Sequence, residues 1–181
     1  MAYDLNILCI RQEKKTKEFP FPSIFDFKVE NRGKNSYPKY YELNWHFMNS
    51  CCGFWYYLFP KDKNLRKYYV SCGDICELYC EDERTIKPTN HCLPDELAEY
   101  VGKLDMAIGI KKEYRSDFEK VIDYFLAESP VNMIMFLPRW QGEERDIVHG
   151  VITRDQFFSM MKDEKIRLNM CYIISTRVPR D

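Results

Sequence analysis

The stretch that decides the fold runs VNMIMFLPRWQGEERDIVHGVITRDQFFSMMKDEKIRLNMCYII over residues 131–174. Two of its segments, VNMIMFLP (131–138) and IRLNMCYII (166–174), are apolar runs of strand length. They carry β-branched and aromatic side chains and are bounded by Pro130, Pro138 and charged residues, so both are expected to be strands. Between them, Thr153 and Gln156 stand at capping-box spacing, and Phe157, Phe158 and Met161 then face inward from a short helix. His149-Gly150, just ahead of that helix, is expected to be loop with a solvated histidine. Strand, helix and strand make a β-α-β-like unit.

Working toward the N-terminus, Ser116 and Glu119 repeat the capping-box spacing. Phe118, Val121, Ile122, Phe125 and Leu126 follow at i, i+3, i+4, i+7 and i+8, the apolar stripe of an amphipathic helix. A further helix is expected from Pro94, with Asp95 and Glu96 at its positive end and Leu97, Val101 and Leu104 as its stripe. YDLNILCI (3–10) alternates like a strand, with Leu5, Ile7 and Cys9 on one face, and can join the same sheet. The polar run 11–18 is expected to be a turn or exposed loop. FPFPSIFDF must be irregular or an edge, because Pro20 and Pro22 cannot donate to a ladder. Residues 40–59 are aromatic-rich enough to be buried, but helix and strand templates each fit only parts of them, and the segment stays undecided.

The expected class is α/β or α+β: one globular domain over 1–181, a small mixed sheet with helices packed on it. Of the 181 residues, 45% are hydrophobic and 30% charged, which excludes wholesale disorder. With 27 Lys and Arg against 28 Asp and Glu, no global charge draws the chain to nucleic acid or an anionic membrane. MAYDLNILCIRQEKKTK lacks the basic start and long apolar run of a signal peptide, and GFWYYLFP breaks at Pro60, well short of a membrane span. A cytosolic chain with reduced thiols is therefore expected despite its eight cysteines.

Cys72, Cys76 and Cys80 recur every four residues, with His91 and Cys92 nearby, the donor types that zinc or an iron–sulfur cluster takes. The spacing lacks paired ligands on tight knuckles, and four-residue spacing puts the thiols on one face of a helix or strand, so a buried stripe is the plainer explanation. A three-cysteine radical signature would need a cysteine at Tyr79, and a cysteine-phosphatase loop opened by His91-Cys92 would need an arginine at Ala98. His46, His91 and His149 are isolated, and no Walker loop, GxGxxG, GxSxG or HExxH is present. A small metal-binding or cysteine-dependent enzyme built on the Cys72, Cys76, Cys80, His91 and Cys92 group stands as the alternative; the main reading assigns no catalytic residue, metal or cofactor.

Charge is uneven along the chain. From Asp74 to Glu99 there are eight acids against two bases, whereas residues 1–39 carry eight bases against five acids. Asp74, Glu77, Glu81, Asp82 and Glu83, with Tyr79 among them and Tyr68 and Tyr69 nearby, have the composition of a protein-contact surface: carboxylates to steer a basic partner, an aromatic to anchor it. A solvated acidic helix and loop has the same composition and explains it at least as well.

Residues 114–174, carrying YRSDFEKVIDYFLAESPVNMIMFLPRWQ, IVHGVITRDQFFSMM and IRLNMCYII in that order and spacing, resemble immunity proteins of bacterial polymorphic toxin systems, including contact-dependent growth-inhibition loci. The resemblance covers about a third of the chain, in structural residues. It implies a cytosolic, non-enzymatic antitoxin that binds the C-terminal toxin domain delivered by a neighbouring cell and blocks its active site, without touching nucleic acid or membrane itself. Nuclease toxins, ribonucleases above all, need basic clefts for a polyanion, and an acidic patch can take the place of the phosphate backbone there.

Overall fold

The computed structural model describes residues 3–30, 53–65, 75–80, 106–140 and 147–177. Six strands form a mixed sheet: β1 (Tyr3–Ile10), β2 (Phe25–Glu30), β3 (Gly53–Pro60), β6 (Met133–Trp140), β7 (Ile147–Thr153) and β8 (Met170–Ser175), in the order β2-β3-β1-β6-β8-β7. A separate two-stranded sheet pairs β4 (Cys76–Cys80) with β5 (Met106–Ile110). Helices α1 (Arg115–Glu128) and α2 (Arg154–Lys162) pack on the larger sheet. The class is mixed α/β, as the periodicities predict.

β1 is central and buried on both faces. Leu5, Ile7 and Cys9 join the core beneath the helices, while Leu8 and Ile10 join a second cluster on the opposite face with Trp55, Met135, Leu137 and Ile173. It pairs antiparallel with β3 on one side and β6 on the other. The undecided segment 40–59 yields a strand over its last residues, and its start needs glycine. At Gly53 a Cβ would collide with the Cys9 carbonyl oxygen. FPFPSIFDF resolves into irregular chain followed by edge strand β2, the placement that proline requires.

α1 buries the predicted stripe Phe118, Val121, Ile122, Phe125 and Leu126. Its start differs from the expected Ser116–Glu119 capping box. A 3-10 turn over Lys112–Tyr114 feeds directly into the helix, so Ser116 already lies inside the first turn and Tyr114, at the N-cap, makes no side-chain capping hydrogen bond. Glu119 instead reaches Arg154 at 3.4 Å. Asp117 ties the proline-rich segment to the helix, since one of its oxygens accepts from the Ser23 hydroxyl at 2.6 Å and the Ile24 amide at 2.8 Å. At α2 the predicted box forms. The Gln156 amide donates to Thr153 Oγ1 at 3.1 Å and the Thr153 amide to Gln156 Oε1 at 2.8 Å. Phe157 and Met161 are buried; Phe158 is half-buried.

The β-α-β unit exists, but with different strands from those expected. β7, α2 and β8 compose it, and β7 runs parallel to β8, whereas β6 is antiparallel to β8. His149 is therefore not a solvated loop residue; it sits within β7 at 1% exposure. The cause is a bulge. Val148 pairs with Cys171 but Gly150 with Tyr172, so His149 is the extra residue. The bulge shifts the inside–outside alternation, sending Val148 to one core cluster and Ile152 to the other.

Two further boundaries moved. β6 continues through Pro138, whose carbonyl accepts from the Asn169 amide at 2.7 Å. The N and O of one strand residue point the same way, so the missing N–H of Pro138 faces the side where pairing to β8 has already ended at Phe136. The expected single strand 166–174 breaks at Asn169, which takes φ of +60°. Ahead of the break the chain pairs with β5, through Ile108 N to Ile166 O at 2.7 Å and Leu168 N to Met106 O at 3.1 Å. Beyond it, β8 enters the large sheet. That segment links the two sheets.

The segment 11–18 is a loop, as expected, yet Gln12 and Thr16 are buried at 6% exposure. Tyr56 Oη donates to Gln12 Oε1 at 2.5 Å and accepts from the Thr16 amide at 2.8 Å; Gln12 Nε2 donates to Thr16 Oγ1 at 3.1 Å. Phe19 adds an edge-on contact to Phe27 at 4.8 Å between ring centroids. The loop is latched onto the core at both ends. The helix predicted from Pro94 to Leu104 lies outside the described residues.

Candidate functional site

Of the predicted contact cluster, Glu77 and Tyr79 fall on β4, opposite Gly109 and Ala107 of β5; Asp74, Glu81, Asp82 and Glu83 lie outside the described residues. Glu77 is exposed, while Ile75 and Cys76 just before it are buried at 0% and 5% exposure. The Lys111 amide donates to the Ile75 carbonyl at 2.9 Å. The carboxylate thus stands on a strand fixed by core contacts on its near side.

The cysteine group divides. Cys76 and Cys80 occupy the two ends of β4, whereas Cys72, His91 and Cys92 lie outside the described residues. Four residues of strand separate their Cα atoms by roughly 13 Å, too far for both thiolates to reach one ion at thiolate–metal distances of about 2.3 Å. Among the described residues no group of three or more His, Cys, Asp or Glu is placed to hold a metal. Cys9, Cys76 and Cys171 are buried thiols outside any disulfide.

The resolved proton affinities all move away from neutrality. Burial lowers His149 to about 4, with its ring against Tyr172 at a centroid distance of 5.0 Å. Burial, and secondarily the charge of Glu128, pushes the Cys9 thiol up to about 12, and its Sγ donates to the Phe125 carbonyl at 3.3 Å. Burial likewise raises the Tyr56, Tyr124 and Tyr172 phenols. A general base at neutral pH needs a proton affinity near the operating pH, and none of these groups is so tuned. They act as neutral packing and hydrogen-bonding groups.

Sequence reasoning missed one feature: a groove of about 380 Å³ between α1 and α2. Ile110, Phe118 and Met161 give it an apolar base, half-buried Phe158 a wall, and Arg115, Glu119 and Lys162 a charged rim. Arg115 Nε donates to the Ile110 carbonyl at 2.8 Å, which fixes the guanidinium at one end. Across the groove, Arg154 clamps Asp123 with two hydrogen bonds of 2.7 and 2.9 Å and lies over the Phe158 ring at 4.7 Å. Burial, clamp and stacking hold that wall in place. No linear motif marks such a groove, since its residues come from β5 and two helices some 40 positions apart in sequence.

No helix of the described residues is long and apolar enough to cross a membrane. No family model, curated protein or solved structure matches the chain.

Proposed function

We propose that this chain is a cytosolic, non-enzymatic immunity protein. It binds a cognate toxin domain, a basic nuclease and most specifically a ribonuclease, and occludes its active site with an acidic, aromatic surface centred on Asp74, Glu77, Tyr79, Glu81, Asp82 and Glu83. The observation that carries this reading is the exposed position of Glu77 on a strand whose preceding residues, Ile75 and Cys76, are buried. A carboxylate presented from an anchored strand needs no ordering of its backbone when a cationic cleft closes over it, so the binding cost is confined to its side-chain rotamers. The neutral, buried state of His149 and Cys9 supports a binding role over catalysis by those groups. Because fully burying carboxylates costs desolvation, tight binding requires direct pairing with the toxin's Arg or Lys and an aromatic anchor such as Tyr79.

The test is co-expression with the toxin domain encoded beside this chain, followed by size-exclusion chromatography, metal analysis and a nuclease assay. A metal-free one-to-one complex that silences the nuclease is expected. The folded Glu77→Lys, Glu81→Lys, Asp82→Lys variant should lose at least tenfold in affinity, the equivalent of about 1.4 kcal/mol. Full affinity in that variant removes the acidic surface from the account, and stoichiometric zinc or iron without a partner replaces the reading with a cysteine-based metal protein.

A further inference from the structure

We propose that the groove between α1 and α2 is a binding site for a small apolar carboxylic acid, a monoanion carrying an aromatic or short alkyl group. Its size, about 380 Å³, falls within the range of small-molecule sites, and its base is made by buried Ile110, Phe118 and Met161. The head-group chemistry follows from Arg115. Its Nε is engaged by the Ile110 carbonyl, while its two terminal nitrogens have no partner among the described residues. A guanidinium held by one nitrogen presents the other two as a planar fork, which matches a carboxylate. Lys162, exposed on the same rim and without an ion pair among the described residues, supplies a second positive charge.

Glu119 sets the charge of the ligand. Its carboxylate lies on the groove and is drawn toward Arg154 at 3.4 Å, a contact that offsets only part of its repulsion. Two cations opposed by one anion leave a net charge of one, so the groove suits a monoanion better than a dianionic phosphate. The ligand's apolar part meets Phe158, whose ring is held by the Arg154 guanidinium stacked over it at 4.7 Å and lies edge-on to Phe118 at 6.4 Å. The half-buried ring lines the groove, where ligand contact would remove more of it from water.

Titration of the full-length chain with 4-phenylbutyrate and with the uncharged 4-phenyl-1-butanol, followed by amide chemical shifts, tests the assignment. The acid should bind at least about tenfold more tightly than the alcohol, with shifts concentrated at 115–119 and 158–162. Lys162→Gln and Arg115→Gln should each erase most of that preference. Lys162 makes no ion pair among the described residues, so its variant keeps the test valid even if Arg115→Gln unfolds. Equal affinity for acid and alcohol, shifts elsewhere, no saturable binding below roughly 5 mM, or an unchanged preference in folded Lys162→Gln would each overturn the proposal.

Discussion

Replacing Tyr56 by Phe removes one oxygen from the interior and leaves the ring packed at a tilt against Phe125, 4.5 Å between centroids. That oxygen serves two partners, Gln12 Oε1 at 2.5 Å and the Thr16 amide at 2.8 Å, on residues only 6% exposed. Each orphaned group should cost roughly 1–2 kcal/mol, so the substitution should destabilise the chain by about 2–4 kcal/mol. In a chain of this size that lowers Tm by roughly 5–15 °C. The two contributions are separable, because Gln12 can be mutated and the Thr16 amide cannot. In a Gln12→Leu background Tyr56→Phe orphans the amide alone and should cost about half as much, a coupling of about 1–2 kcal/mol in a double-mutant cycle followed by urea unfolding. A loss below about 0.5 kcal/mol, or strict additivity, would refute the latch: water would then be reaching the loop and satisfying both groups.

The two expected capping boxes give a paired test. Thr153→Ala should cost about 1 kcal/mol and Ser116→Ala under about 0.5 by thermal melts, since only the first box forms. Gly53→Ala should cost more than about 2 kcal/mol by urea unfolding, because the new methyl meets the Cys9 backbone rather than a movable side chain. His149 is held below its ordinary value, at about 4 in the folded chain against 6.5, so the unfolded state takes up its proton first. Stability from this group is complete well above pH 6.5, falls as pH drops toward 4 and levels off below, a total change of about 3 kcal/mol; roughly 2 kcal/mol of it lies between pH 7 and 4.5, and His149→Gln should abolish that part when unfolding is compared at those two values. Cys9, buried and raised to about 12, should resist alkylation by iodoacetamide in the native chain and react on unfolding.

What the sequence disclosed depended on whether a signal was local. The stripe of α1, the Thr153 cap and the alternation of β1 each follow from neighbours within a turn or two, and each stands in the structure. Strand β7 was illegible for a definite reason. With the bulge at His149 counted as an ordinary residue, Val148 and Ile152 would share a face, yet they belong to opposite clusters, so no period-two template fits IVHGVIT. Gly150 then looked like loop punctuation. The break at Asn169 was hidden likewise, because IRLNMCYII is apolar throughout while its two halves serve different sheets. Of the candidate contact residues, sequence located Glu77 and Tyr79 on what proves to be one strand. The groove was invisible because Arg115, Phe118 and Lys162 meet only once two helices have packed.

The central position of β1 also governs how the chain can emerge from a ribosome. Its partner β3 begins at Gly53, but its other edge waits for β6, whose Trp140 pairs with Tyr3. At translation rates of roughly 5–20 residues per second, that edge is open for on the order of ten seconds after Tyr3 is made. During that interval Leu5, Ile7, Leu8 and Ile10 belong to an apolar segment with both edges unmatched until β3 is made and one edge unmatched thereafter, the kind of segment that pairs with another nascent copy. Slow synthesis or crowded polysomes should therefore lower the soluble yield of this protein before any change in its folded stability is detectable.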